Sequence, residues 1–229
     1  MLIDQKQIGT IAYMGGVMAV PEPFAWAWGQ MLMFTEEALC QAAEHIHVNR
    51  TKLSLHNHAR NDLVIGMRGD WILMLDTDIS FAPDLAARMV ATMHKYGVDV
   101  LTGMYSYKRP PHYPVLYIHN AETDRHEIVS DWDRSLEIFP VDSAGGGCLL
   151  VRRSVFERIT EECKENPFDL IPGKGEDHSF FIRCRKLGIK AYCAWKIEVQ
   201  HLEYDGVAPS THYQPGEPDH KFEMEFAPA

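Results

Sequence analysis

Two aspartates one residue apart, Asp76-Thr77-Asp78, follow directly on the unbroken apolar run Trp71-Ile-Leu-Met-Leu75. Such a run reads as a strand buried on both faces of a parallel sheet, so both carboxylates leave from a strand end. Two acidic oxygens in that position suit a hard divalent cation, Mn²⁺ or Mg²⁺, which keeps coordination positions open for substrate phosphates. A lone Asp-x-Asp is also what a solvated turn looks like. What favours chemistry here is the preceding strand together with Phe81-Ala-Pro-Asp84, which opens a helix immediately afterwards.

A second acidic pair, Glu176-Asp177, stands where a helix begins, a position the helix dipole favours for acids whatever their function. His56-Asn57-His58 spells the name of a nuclease motif, but in those nucleases the three residues are dispersed over a ββα element. Here His56 and His58 alternate along an expected strand end, and a structural role is assigned to them.

The elements that must position these groups follow from apolar spacing. Gly16 to Val20 reads as a buried strand closed by Pro21-Glu22-Pro23, and Phe24 to Ile46 recur at helical spacing. A helix over Ala59 to Met67, ended by Gly69-Asp70, leads into the Trp71–Leu75 strand. Pro83 suits the first turn of a helix through Tyr96, Gly97 its cap, and Val98 to Met104 the next strand. This order implies an α/β fold with a mainly parallel central sheet, right-handed crossovers and flanking helices. Ligands of such sheets lie beyond the carboxyl ends of the strands, where Pro21-Glu22 and Asp76-Thr77-Asp78 both fall.

Farther on the pattern is strand and turn at Val115 to His119, Glu127 to Val129, Leu136 to Val141 and Cys148 to Val151. Helices are expected at Ser154 to Cys163 and Asp177 to Leu187, then a strand at Ile189 to Ala194. Glu203 to Ala229 has four prolines and little periodicity, giving a single domain over 1–202 and a tail or lid over 203–229.

With 229 residues and 46% hydrophobic content the chain can bury one good core. A formal charge of -10 argues against a nucleic-acid partner, because no basic stripe is available for phosphates. Five cysteines without Cys-x-x-Cys spacing read as reduced core residues in a cytoplasmic protein. Neither a signal peptide nor a run long enough to span a membrane is seen, so a soluble protein is expected.

The run from Arg60-Asn61 through Gly69-Asp70-Trp71 to Asp76-Thr77-Asp78 and Pro83-Asp84 resembles the donor-binding half of GT-A glycosyltransferases, especially compact bacterial and phage-type family-two-like enzymes. Ala144-Gly145-Gly146-Gly147-Cys148 through Phe156 resembles their acceptor-side segment. Gly175-Glu176-Asp177 through Leu187-Gly188 is similar to their Glu-Asp motif and the helix after it. The likeness covers roughly 16–202, with three motifs in the family's order.

What the resemblance implies is a metal-dependent hexosyltransferase that moves a sugar from a nucleotide-diphosphate sugar, a UDP-sugar being favoured, to an unidentified acceptor hydroxyl. Asp78 would ligate Mn²⁺ or Mg²⁺ directly, Asp76 would contact the ribose or the metal, and His201 would complete the metal site. Pro21, Glu22, Arg60, Asn61 and Thr77 would lie along the donor. Asp177 would be the general base of an inverting transfer, and Glu176 would orient acceptor or base.

Gly145-Gly146-Gly147 lacks the Lys-Ser/Thr of a P-loop and precedes a strand, so close backbone approach to acceptor or sugar is the better reading. Tyr105 to Pro111 fits either a loop over the donor, with Lys108 or Arg109 near phosphate, or an ordinary solvated turn. Two rival readings stand beside this one. A haloacid-dehalogenase-like phosphohydrolase also has a strand followed by Asp-x-Asp, but carries it on its first strand and needs a late acidic segment missing here. A non-catalytic nucleotide- or carbohydrate-binding module would have no need of Asp177.

Overall fold

The computed structural model describes residues 6–14, 20–40, 44–52 and 54–202. The tail over 203–229 and most of the strand expected at Gly16 to Val20 lie outside the described residues. In chain order the first half contains β1 (Lys6–Tyr13), α1 (Glu22–Leu39), β2 (Glu44–Arg50), α2 (His56–Gly66), β3 (Trp71–Leu75), β4 (Ile79–Phe81), α3 (Leu85–Tyr96) and β5 (Val100–Met104). The second half contains β6 (Leu116–Asn120), β7 (Arg125–Ile128), β8 (Phe139–Val141), β9 (Ser143–Ala144), β10 (Cys148–Arg152) and α4 (Arg153–Arg158). A π-helical turn (Ile159–Cys163), α5 (Glu176–Lys186) and β11 (Ala191–His201) complete it.

The central sheet has the order β2-β1-β3-β10-β5-β11-β4, with β8 pairing β11 as its eighth strand. β2, β1, β3, β5 and β11 run in one direction, while β10 enters antiparallel between β3 and β5. The sheet is thus mostly parallel, with helices on both faces. β3 shows why its sequence is continuously apolar. Trp71, Leu73 and Leu75 pack on the α1–α3 side with Met31, Leu85 and Met89, whereas Ile72 and Met74 pack on the opposite side with Leu63, Phe156 and Phe180. Strand side chains alternate between faces, so a strand covered by helices on both must be apolar at every position. β7, β6 and β9 form a small second sheet.

Several expectations are corrected. The first strand of the sheet is Lys6–Tyr13, and Val20 is exposed outside any element, so Pro21 and Glu22 stand at the start of α1 rather than at a strand end. The helix from Phe24 stops at Leu39, and Ile46 belongs to β2. His56 and His58 are exposed residues of the first turns of α2, not of a strand. β11 runs seven residues beyond Ala194 because a register shift between Ala194 and Glu198 lets it leave β5 and pair antiparallel with β4.

All five cysteines are free thiols; Cys148, Cys184 and Cys193 are buried in the core, burial pushing Cys148 up to about 12, whereas Cys40 and Cys163 are half-buried at its edge. Among the described residues no helix is long and apolar enough to cross a membrane.

Candidate functional site

Three strand ends create the site. Leu75, the last residue of β3, lies opposite Tyr13 of β1 and Cys148 of β10. The chain then turns through Asp76-Thr77-Asp78 into β4, which pairs with the end of β11 so that Ile79 faces His201. Two backbone hydrogen bonds fix the turn: Asp76 N–H donates to Gly147 O at 3.0 Å, and Leu202 N–H donates to Asp78 O at 2.7 Å. The Asp-x-Asp turn is thereby joined to Gly147, 71 positions beyond Asp76, on one side and to the strand end at His201, 123 positions beyond Asp78, on the other. Thr77 is buried between the two aspartates.

Beneath Asp76 lies Arg60, whose side chain is only 2% exposed. Its Nη2 donates to Asp76 Oδ1 at 3.0 Å, its Nη1 to Gly146 O at 3.0 Å, and its Nε approaches Glu176 Oε1 at 3.4 Å. Burial alone would lower the guanidinium's pKa, but Asp76, Glu176 and Asp177 outweigh it, and the net shift is upward. One fork therefore ties the strand-end aspartate to the acidic pair at the start of α5. A methyl on Gly146 would sit 2.3 Å from Nη2, and one on Gly145 would sit 2.1 Å from the Tyr105 hydroxyl. The close backbone approach these glycines permit is to Arg60 and Tyr105.

Around Asp78 the arrangement is different. Lys108 Nζ donates to Asp78 Oδ2 at 2.6 Å, and His201 Nε2 stands 4.0 Å from the same oxygen. The other ring nitrogen of His201, Nδ1, is 2.6 Å from Ser106 O. A carbonyl only accepts, so Nδ1 carries the proton, and in neutral imidazole Nε2 presents its lone pair toward Asp78. Ser106 and Lys108 belong to one loop whose legs are joined by Tyr107 N–H to Tyr113 O at 2.9 Å and Val115 N–H to Tyr105 O at 3.0 Å. Tyr105 anchors it from below: its buried hydroxyl accepts from Gly147 N–H at 2.9 Å, and its ring meets that of His201 edge-on. Burial and then Asp76 hold the Tyr105 phenol far above its ordinary pKa, so it stays neutral.

The acidic pair opens α5 after Gly175. Asp177 Oδ1 accepts from His178 N–H at 2.7 Å, and burial followed by Glu176 raises its pKa. His178 Nδ1 is 2.7 Å from Ser143 Oγ, and its ring leans on Tyr117, whose hydroxyl is bonded to that of Tyr107.

The remaining expected residues lie as follows. Pro21 and Glu22 are exposed at the head of α1, brought to this end of the sheet by Phe24, which packs on Tyr13 and Phe81. Asn61 is buried and turned away: its amide donates to Asp169 and accepts from Phe168 N–H, holding the 166–169 loop. Tyr105 and Ser106 belong to the stretch Tyr105 to Pro111, for which the sequence offers a loop over the donor or a solvated turn but no separate role for either residue; for His178 its neighbour Asp177 is the only signal in the sequence.

Among the described residues no three His, Cys, Asp or Glu side chains converge to hold a metal. Asp78 and His201 are the donors that fit one. They bring one carboxylate oxygen and one imidazole nitrogen, donor types a divalent cation takes, to 4.0 Å from each other.

A family model described as "Glycosyltransferase like family 2" matches residues 35–212. Among solved structures, the crystal structure of A197 from STIV is similar in fold, with a TM-score of 0.61 and 18% identity over 95% of this chain and 98% of that one. No curated protein matches.

Proposed function

This chain belongs to the glycosyltransferase-like family 2, and from that premise, with the GT-A arrangement of its sheet, we propose that it moves a hexose from a UDP-sugar to an acceptor hydroxyl with the help of a divalent cation. As a glycosyltransferase it uses a nucleotide-sugar donor and an acceptor; the sugar, the base and the metal are the proposed part. The observation that supports the reading best is the shared guanidinium. Arg60 bonds both Asp76, on the donor side, and Glu176, beside the proposed base.

The proposed chemistry is a single inverting displacement. Asp177 accepts the proton of the acceptor hydroxyl as that oxygen bonds to the anomeric carbon. The bond from that carbon to the diphosphate oxygen breaks, and its electron pair leaves with the nucleotide. Asp78 and His201 would hold a divalent ion, whose chemistry would be neutralisation of the diphosphate. The raised pKa of Asp177 brings it nearer the pH at which it must work, which makes it a stronger base than a solvated carboxylate. Glu176 contributes to that rise and is itself held by Arg60. Asp76, fixed on the same fork, is assigned to the ribose or the metal, and the buried glycines to the wall against which sugar or acceptor rests.

The test is nucleotide release from UDP-, GDP- and dTDP-sugars, with and without Mn²⁺. Release from a UDP-sugar that depends on Mn²⁺ is expected, with Asp177→Asn slowing transfer at least about 10²-fold at unchanged donor affinity. Equal turnover without any divalent ion removes the metal, and transfer by Asp177→Asn at the wild-type rate removes the base.

A further inference from the structure

The carboxylate expected to take the metal already has a cation on it. Asp78 Oδ2 receives Lys108 Nζ at 2.6 Å, while the second metal donor, His201 Nε2, lies 4.0 Å from the same atom. This closeness is not an accident of a loose surface side chain. Lys108 follows Tyr107, whose N–H is bonded to Tyr113 O and whose hydroxyl meets that of Tyr117, so its backbone is held on both sides of the loop. The same loop offers Ser106 O to His201 Nδ1. One short segment therefore orients the histidine and delivers the ammonium to the aspartate.

Resting on the donor reading above, we propose that Lys108 is the resident counter-cation of Asp78, which a divalent ion must displace and which then pairs with the donor's diphosphate. The physical reason is charge balance. An ammonium at 2.6 Å and a divalent ion bonded to the same oxygen cannot coexist without strong repulsion. The incoming diphosphate brings anionic oxygens into the same place, and they offer the displaced ammonium a better partner than a lone carboxylate. The two steps are thus coupled: metal binding in the absence of nucleotide is opposed by Lys108, and nucleotide binding in the presence of metal is assisted by it.

Two equilibrium measurements on one variant separate this from a structural role. In Lys108→Met the stem is kept and the charge removed. Mn²⁺ binding without nucleotide, followed by the loss of the free-ion electron paramagnetic resonance signal, should tighten about three- to five-fold. That is the size expected for releasing a partly exposed ion pair. UDP binding at saturating Mn²⁺, followed by calorimetry, should weaken about ten-fold, with Lys108→Arg restoring most of it. Opposite signs in the two assays support the proposal, since a loop that had merely lost its order would weaken both. If the wild type binds both ligands and Lys108→Met leaves either affinity unchanged, or weakens both, the Lys108 assignment falls while the donor reading stands. If the wild type binds neither Mn²⁺ nor UDP, the two fall together.

Discussion

Arg60→Met should unfold the site from within, and its size can be worked from the contacts. The guanidinium is 2% exposed and makes hydrogen bonds of 3.0 Å to Asp76 and to Gly146 O, with a longer 3.4 Å approach to Glu176. Removing one member of a buried charge network costs about 3–5 kcal/mol, because the remaining charges lose their partner but not their burial. Leaving the Gly146 carbonyl unpaired adds about 1–3 kcal/mol. Against this, Asp76 is 25% and Glu176 16% exposed, so water takes over part of the lost interaction, and the methionine fills some of the space beside Phe168. The net expectation is at the lower end, about 3 kcal/mol.

Urea denaturation followed by far-ultraviolet circular dichroism measures it as a lower midpoint at unchanged slope. In a chain of this length the same loss lowers the Tm by about 6–12 °C. Replacing a buried ion pair by apolar groups is often neutral when all partners are replaced, so the partner mutation is decisive. Arg60→Met combined with Asp76→Asn should recover part of the loss. A destabilisation under about 1 kcal/mol for Arg60→Met alone, or no recovery in the double variant, would refute the reasoning that Arg60 is held by the charges it neutralises.

Gly146→Ala should act through the same guanidinium: a Cβ 2.3 Å from Nη2 forces it off Asp76, for a loss of about 1–3 kcal/mol in the same urea assay. Its effect should be far from additive with Arg60→Met, whereas additivity would mean that the glycine is needed for another reason. Asp177 predicts a pH dependence. Its folded pKa lies above the unfolded one, so the folded state binds the extra proton, and stability falls as pH rises from the ordinary carboxylate range through the raised value, then levels off. Asp177→Asn should lack that fall and be the more stable protein at neutral pH, which parallel denaturation curves across the acid range will check.

How far the sequence carried the fold depended on burial. β3, covered on both faces, and α3, with Gly97 left-handed at φ 61° at its end, stand where apolar runs and capping chemistry indicate. β1 and β2 are weakly marked in the sequence, each for its own reason. β2 is an edge strand with Ile46 as its one buried residue and Val48 46% exposed, so the alternation in Glu44–Arg50 is confined to these two apolar positions, too few to mark a strand. β1 is interrupted by Gly9, where a Cβ would lie 2.1 Å from the Trp71 indole, and by Thr10, whose hydroxyl bonds the Arg68 backbone. The reach of β11 to His201 depends on a bulge, and a change of pairing partner has no period in the sequence.

The candidate site divides along the same line. Asp76, Asp78, Glu176, Asp177 and His201 were legible as residue types at element ends. The contacts that make them one site run through Arg60, Tyr105, Ser106 and Lys108, which local spacing does not relate to any of them. Asn61 shows the converse: it adjoins Arg60 in the chain, yet its amide is committed to the 166–169 loop.

That division has a mechanistic consequence. In an in-line displacement the attacking oxygen, the anomeric carbon and the leaving diphosphate must be held in register, and a misplacement of about 1 Å is enough to cost about 10²-fold in rate. The proposed base sits at the start of α5 and the proposed metal ligand in the turn between β3 and β4, elements separated by 97 residues from Glu176 back to Ile79. Among the described residues no backbone hydrogen bond joins α5 to that turn directly. The distance between them is governed by side chains on a third element, α2, through the Arg60 fork, and by the glycine backbone into which that fork is pressed. Gly146 is therefore needed even if no substrate touches it: it lets a buried cation stand where it can hold Asp76 and Glu176 together, and a side chain there would press on that cation.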